Sequence, residues 1–207
     1  MKKVLFWISF SLLVSLPLMA QDSARSEFFG GFQFAHFGSI HTYDPFVEQS
    51  NVNNTEVSVN APGWDATYTY HITDSIGVAG DFSGSYGSGT VSEGVAGIFQ
   101  PVKYHMHIYS YTFGPVYYFS SEGNVKPFVH ALIGGATGTG SACSSGVPCS
   151  SVGSASGLVA MLGGGVDMKY KKSMSIRIFQ GDWIHTNFAS YGGGSNVRIS
   201  AGVVFHF

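Results

Sequence analysis

The sequence predicts an all-β protein, an eight-stranded antiparallel up-and-down transmembrane β-barrel behind an N-terminal signal peptide. Three observations carry that expectation. From Asn196 onward, Val197, Ile199, Ala201, Val203, Phe205 and Phe207 share one parity, while Arg198, Ser200, Gly202, Val204 and His206 share the other. Side chains of a strand alternate faces with period two, so one side of this segment suits hydrocarbon and the other a small, polar surrounding. Second, Lys2 and Lys3 precede an apolar run over 4–18, and Met19-Ala20 lead to Gln21. That order of charged, apolar and small residues is the layout of a secretory signal. Third, 44% of residues are hydrophobic and only 11% charged. Yet no apolar stretch after Ala20 approaches the ~20 residues a membrane helix requires, so the apolar content is dispersed by alternation.

Two segments follow: a signal peptide at 1–20, cleaved after Ala20 with Leu18 at the −3 position, and a barrel domain at 21–207. The apolar run is short for an anchor and contains Pro17, and no cysteine follows the cleavage site to carry a lipid. Taking 20 residues from 207 leaves 187, the size of one all-β domain. The 28 glycines disfavour long helices, and a net charge of −2 provides no basic footprint for nucleic acid.

The first strand is expected from Phe28 to Phe37, with Gly30 and Gly31 allowing curvature, followed by a polar loop over 39–62. The second is the clearest: Trp64, Ala66, Tyr68, Tyr70 and Ile72 face one way, Asp65, Thr67, Thr69 and His71 the other. Thr73-Asp74-Ser75 turns the chain into a third strand, with Ile76, Val78, Phe82 and Tyr86 outward and Asp81, Ser83 and Ser85 inward. A long loop over 88–104 leads to a fourth strand, His105 to Phe119, whose Tyr109, Tyr111, Phe113, Tyr117 and Phe119 suit interfacial girdles together with Trp64, Tyr68 and Trp183. Glu122-Gly123-Asn124 makes a short turn into the fifth strand, Lys126 to Thr137, and a Gly- and Ser-rich loop covers 138–156. Leu158 to Met168 and Met174 to Thr186 form the sixth and seventh strands, joined by a short turn at 170–173. A glycine-rich loop at 189–195 precedes the last strand. Short turns alternate with long loops, as in outer-membrane barrels, and closure is what gives every backbone group a partner in a bilayer.

The segments 77–86, 126–135, 175–183 and 196–207 resemble the OmpA-type family of small eight-stranded outer-membrane barrels, and the resemblance covers nearly the whole mature chain. It implies a fold and an address, the bacterial outer membrane, without one activity, since relatives serve as anchors, adhesins or narrow pores. Phe207, with Val203 and Phe205 before it, resembles the strand read by the outer-membrane assembly machinery, and is expected to act as the assembly signal. The periplasmic peptidoglycan-binding domain of OmpA itself has no counterpart in this sequence.

Parity places Asp65, His71, Asp81, His130, Asp167, Gln180, Asp182 and Arg198 on the inner wall. The lumen of an eight-stranded barrel is filled by side chains, so these groups are expected to pair or hydrogen-bond with one another or with trapped water. Arg198 is expected to bridge to at least one lumenal aspartate, forming a plug rather than a catalytic centre. Cys143 and Cys149, an even pair in an exported chain, are expected to form a local disulfide. No metal site is expected, because no further ligands stand near the cysteines, and no cofactor. Gly163-Gly164-Gly165 and Gly192-Gly193-Gly194 lack the lysine and helix of a phosphate loop.

Some small barrels are lipid A deacylases, and 184–187 bears a faint likeness to their His and Ser at the membrane rim. Thr186 adjoins His185 directly and no activating acid is identifiable, so the chain is not expected to be an enzyme. The functional expectation is a structural or adhesin-like role through external loops, with a narrow small-solute or ion pore as the alternative and a lipid A-modifying enzyme as a distant third. Expected partners are outer-membrane lipid and lipopolysaccharide, the assembly machinery and an extracellular ligand; the barrel is expected to be a monomer.

Overall fold

Eight strands follow one another as antiparallel hairpins, and the last pairs with the first: β1 (Ser26–Ile40), β2 (Val57–His71), β3 (Ile76–Val95), β4 (Ile98–Tyr118), β5 (Val125–Ser144), β6 (Ser150–Lys171), β7 (Met174–Phe188) and β8 (Gly192–His206). This computed structural model describes residues 25–40, 57–95, 98–119, 123–144, 149–188 and 192–207. The expected signal peptide at 1–20 lies outside the described residues. Closure runs in unbroken register from Glu27↔His206 to Phe37↔Asn196, so the sheet has no free edge there.

Alternation sorts the side chains as the sequence requires. On β8, Val197, Ile199, Phe205 and Phe207 are exposed on the outer wall, whereas Asn196, Arg198, Ser200 and Val204 are buried inside. On β2, Tyr68 and Tyr70 are exposed, while Asp65, Thr67, Thr69 and His71 are buried. An outer belt of exposed Phe, Tyr, Ile, Val and Leu is what hydrocarbon demands of a barrel wall.

Aromatics gather towards both ends of that belt. Trp64 packs edge-on against Phe82 at 5.1 Å and donates its indole N–H to the Tyr86 hydroxyl at 3.0 Å. Towards the other end, Tyr117 and Phe119 make a T-shaped pair at 5.1 Å, and the Phe207 ring lies 6.5 Å from Tyr68. Rings with an apolar body and a polar edge belong at the two membrane–water interfaces.

Four expected loops are shorter than the sequence suggests, the one at 189–195 because β8 already begins at Gly192. The segment 88–104 is almost entirely strand, because β3 and β4 stay paired up to Val95↔Ile98. Likewise β5 continues to Ser144 and β6 begins at Ser150, and the last six residues of the expected 39–62 loop belong to β2. The stretches 88–95, 138–144 and 150–157 do not alternate apolar with polar, since a strand that has left hydrocarbon needs only its backbone ladder, whereas 57–61 and 102–106 do. Strands of 15 to 22 residues exceed the ~9–11 that cross a bilayer, so the hairpins rise beyond it at the end opposite the short turns.

One irregularity matters for the interior. Along β7, Arg177 and Gln180 pair with Gly202 and Ser200, so Ile178 and Phe179 together oppose the single Ala201. Both are exposed outward, and the extra residue turns Arg177 and Gln180 alike into the lumen. At the β4–β5 turn Gly123 adopts φ 126°, a conformation side chains disfavour.

Candidate functional site: a plugged lumen

The structure places all eight sequence-predicted inner residues on the inner wall, each buried. They fall into two ionic layers beneath an apolar one.

Arg198 centres the middle layer at 1% exposure. Cross-strand register sets it directly beside Asp182 on β7, and its Nε donates to Asp182 Oδ2 at 2.7 Å. Its two terminal nitrogens fork onto Asp81 of β3, each at 3.2 Å, and Nη2 stands 3.7 Å from Asp65 of β2. Nη1 also donates to Ser83 at 3.1 Å and Gln33 at 3.3 Å. A planar fork with five donors is the side chain that can serve carboxylates from three walls at once. His130 Nε2 lies 2.9 Å from Asp182 Oδ1, which gives that carboxylate a second partner. Close packing of β6 on Asp182 depends on Gly163, whose absent side chain leaves the carboxylate its place.

The second layer lies nearer the short turns. Arg177 chelates Asp167 through Nε at 2.8 Å and Nη2 at 3.0 Å, and its guanidinium is sandwiched between the rings of Phe29 and Phe128 at 4.4 and 4.2 Å. Gln180 joins the layers, accepting from Arg177 at 2.7 Å and donating to Asp182 at 2.9 Å. Glu27 closes the bottom: its Oε2 accepts from the Tyr118 hydroxyl at 2.8 Å, and Lys126 Nζ lies 3.6 Å from Oε1. His71 Nε2 comes within 2.9 Å of the same oxygen without the alignment of a hydrogen bond.

Above the ionic layers the lumen is mainly apolar, with Asn196 and Thr186 as buried polar residues beside the hydrocarbon. Ala35, Phe37, Ala61, Ile108, Ala136, Val159 and Ile184 belong to a continuous buried cluster that also takes in Leu132 and Met161. A stack of paired charges, in which Asp65 Oδ1 and His71 Nε2 are the buried atoms of charged groups without a hydrogen bond among the described residues, lies beneath a hydrocarbon-like layer and fills the bore instead of lining it.

Arg177, Glu27, Gln33 and Tyr118 are absent from the sequence-derived set of inner residues. Strict alternation from Asp182 sends Arg177 outward, and only the bulge reverses that. Glu27 lies one residue before the expected start of β1, although its parity with Phe29 and Gln33 is readable once the strand is extended.

Near the outer rim, His185 faces outward and stacks on Trp183 at 5.9 Å, whereas Thr186 is buried inside, its hydroxyl accepting from the Asn196 side-chain amide at 3.2 Å. Opposite faces of one strand cannot supply a nucleophile and its base, so these two residues form no catalytic pair. Among the described residues no group of three or more His, Cys, Asp or Glu is arranged to hold a metal ion. Cys143 and Cys149 are joined in a disulfide at the β5–β6 tip. The three residues expected to form the assembly signal lie on the outer wall, Phe205 and Phe207 exposed and Val203 half-buried.

Comparison with solved structures bears on the fold. Ail, the attachment invasion locus protein of Yersinia pestis, superposes with a TM-score of 0.54 at 16% identity, covering 88% of this chain and 97% of Ail. Ail in complex with the heparin analogue sucrose octasulfate gives 0.52 at 17% identity, covering 88% and 99%. Neisserial surface protein A gives 0.48 at 15% identity, covering 87% and 97%. No protein-family model matches the sequence, and no curated protein matches it. At these identities the likeness speaks for the fold alone: a closed eight-stranded barrel of the bacterial outer-membrane type. The outer apolar belt agrees with that address, since such a wall is stable only where lipid covers it.

Proposed function

We propose that this chain is a small OmpA-type barrel of the outer membrane that works as a rigid, non-conducting pedestal for a surface-binding end. The observation that carries this reading is the filled lumen, in which Arg198 joins β2, β3, β7 and β8 through side-chain contacts beneath an apolar layer. A continuous wet path is what a pore needs, and paired charges under hydrocarbon do not provide one. The narrow-pore alternative is therefore the weaker reading.

Rigidity on the external side supports the binding role. The β3–β4 ladder continues to Val95↔Ile98, and the disulfide pins the neighbouring β5–β6 tip. Such hairpins present a fixed surface whose ordering cost is met before a ligand arrives. Ail, with the same fold, has been crystallised with a heparin analogue; here 41–56 carries Asp44, Glu48 and Glu56 and no lysine or arginine, so an uncharged glycan is the extracellular ligand class proposed first. The external face acts by binding rather than catalysis, because His185 and Thr186 do not converge.

Binding of cells displaying the wild-type barrel to an array of uncharged glycans, against a variant with 41–56 and 145–148 replaced by short Gly-Ser linkers, tests this. Loss of binding with an unchanged heat-modifiable gel shift is expected. Equal binding by both proteins would overturn the loop assignment.

A further inference from the structure

A second constellation sits at the opposite mouth of the barrel, beside the short turns. Ser175 at the start of β7 places its Oγ 2.7 Å from His206 Nε2 on β8. The other nitrogen of the same ring, Nδ1, stands 3.2 Å from Glu27 Oε1 on β1. Three consecutive strands around the closure of the barrel thus supply a hydroxyl, an imidazole and a carboxylate in line. Glu27 is itself held by the Tyr118 hydroxyl, so the acid that orients the imidazole is fixed. All three residues line a cavity of about 510 Å³ that opens to the periplasmic side, with Lys126, Lys169 and Lys171 among its walls.

We infer that Ser175, His206 and Glu27 form a Ser–His–Glu nucleophilic site that cleaves small carboxylic esters carrying a negative charge. The ring's two nitrogens have the two roles such a relay needs: one takes the hydroxyl proton, and the other is held by the carboxylate that fixes its tautomer. Oγ attacks the ester carbonyl carbon, the carbonyl electron pair moves to oxygen, and the hydroxyl proton passes to Nε2. Collapse breaks the ester C–O bond and returns that proton to the leaving alcohol. Water, deprotonated by the same imidazole, then releases the acid from Ser175. The lysine rim draws in an anionic substrate, and its positive field favours the developing oxyanion. Glu27 is a positioning residue, because it acts through His206. This site is independent of the surface role proposed above.

Folded barrel in detergent, verified by its gel shift without heating, is treated with a fluorophosphonate probe and the adduct mapped by mass spectrometry. A single adduct on Ser175 is expected, absent after heat unfolding and slowed about a hundredfold in His206→Gln, in step with lost hydrolysis of an anionic p-nitrophenyl ester. No adduct on Ser175 of the folded wild type overturns the inference, and so does equal labelling of the unfolded chain or of folded His206→Gln. The wild-type adduct map needs no variant to fold, so the result stands even if His206→Gln fails to assemble.

Discussion

Replacing Arg198 by alanine removes one guanidinium from between three carboxylates. The side chain is 1% exposed and contacts Asp182 at 2.7 Å, Asp81 at 3.2 Å and Asp65 at 3.7 Å. Breaking a buried pair by deleting one member costs ~3–5 kcal/mol, and with three anions left together the loss falls at the upper end, about 5 kcal/mol at pH 8. Arg198→Lys keeps the charge but not the fork onto Asp81, and loses about 2 kcal/mol, the worth of a charged hydrogen bond. Urea unfolding in detergent, followed by tryptophan fluorescence and by migration of the unheated protein, measures each value. An Arg198→Ala barrel within about 1 kcal/mol of wild type at pH 8 would refute the claim that this residue ties the walls together.

Deleting Ile178 removes the extra residue of the β7 bulge and leaves Arg177 and Gln180 two positions apart, both still facing the lumen, so this variant is expected to reach the heat-modifiable form, whereas deleting Ile178 and Phe179 together sends one of the two out towards lipid and is expected not to; folding of the double deletion would show that the parity of this pair is dispensable. Reducing the Cys143–Cys149 bond opens a loop of sequence separation 6, worth ~2 kcal/mol in the chain-entropy model but confined to one hairpin tip. Proteolysis between the cysteines should rise while the unfolding midpoint of the barrel stays put, and a large fall in that midpoint would contradict the local role. The Phe207 side chain is exposed, with the Tyr68 ring 6.5 Å away, so Phe207→Ser should slow assembly into membranes far more than it destabilises a folded barrel. Equal rates of appearance of the folded form in cells would remove the proposed assembly role.

The membrane-crossing parts of the fold are legible in the sequence because hydrocarbon enforces alternation on them. Trp64 to Ile72 and Val197 to Phe207 announce both their strand character and their lipid-facing parity. The external extensions are not legible: Ser88 to Val95 and Gly138 to Ser144 are paired strand, but their Gly- and Ser-rich sequence reads equally well as loop. Within the site, Asp182 beside Arg198 follows from parity and strand order. Arg177 does not, since a bulge of one residue inverts parity, and no turn residue or proline marks it in the sequence around Ile178. The relay of Ser175, His206 and Glu27 was hidden for another reason: the three residues stand at strand ends and meet only when β8 closes on β1.

Ion conductance tests the plugged-barrel account most directly. Folded wild-type protein reconstituted into planar bilayers under an applied potential should give a flat baseline, because Arg198, Arg177 and their carboxylates fill the bore beneath the Phe37, Ile108 and Ile184 layer. Stable ohmic current steps from the wild-type protein, abolished by heat unfolding before reconstitution, would mean that water passes through this interior and would contradict the pedestal reading.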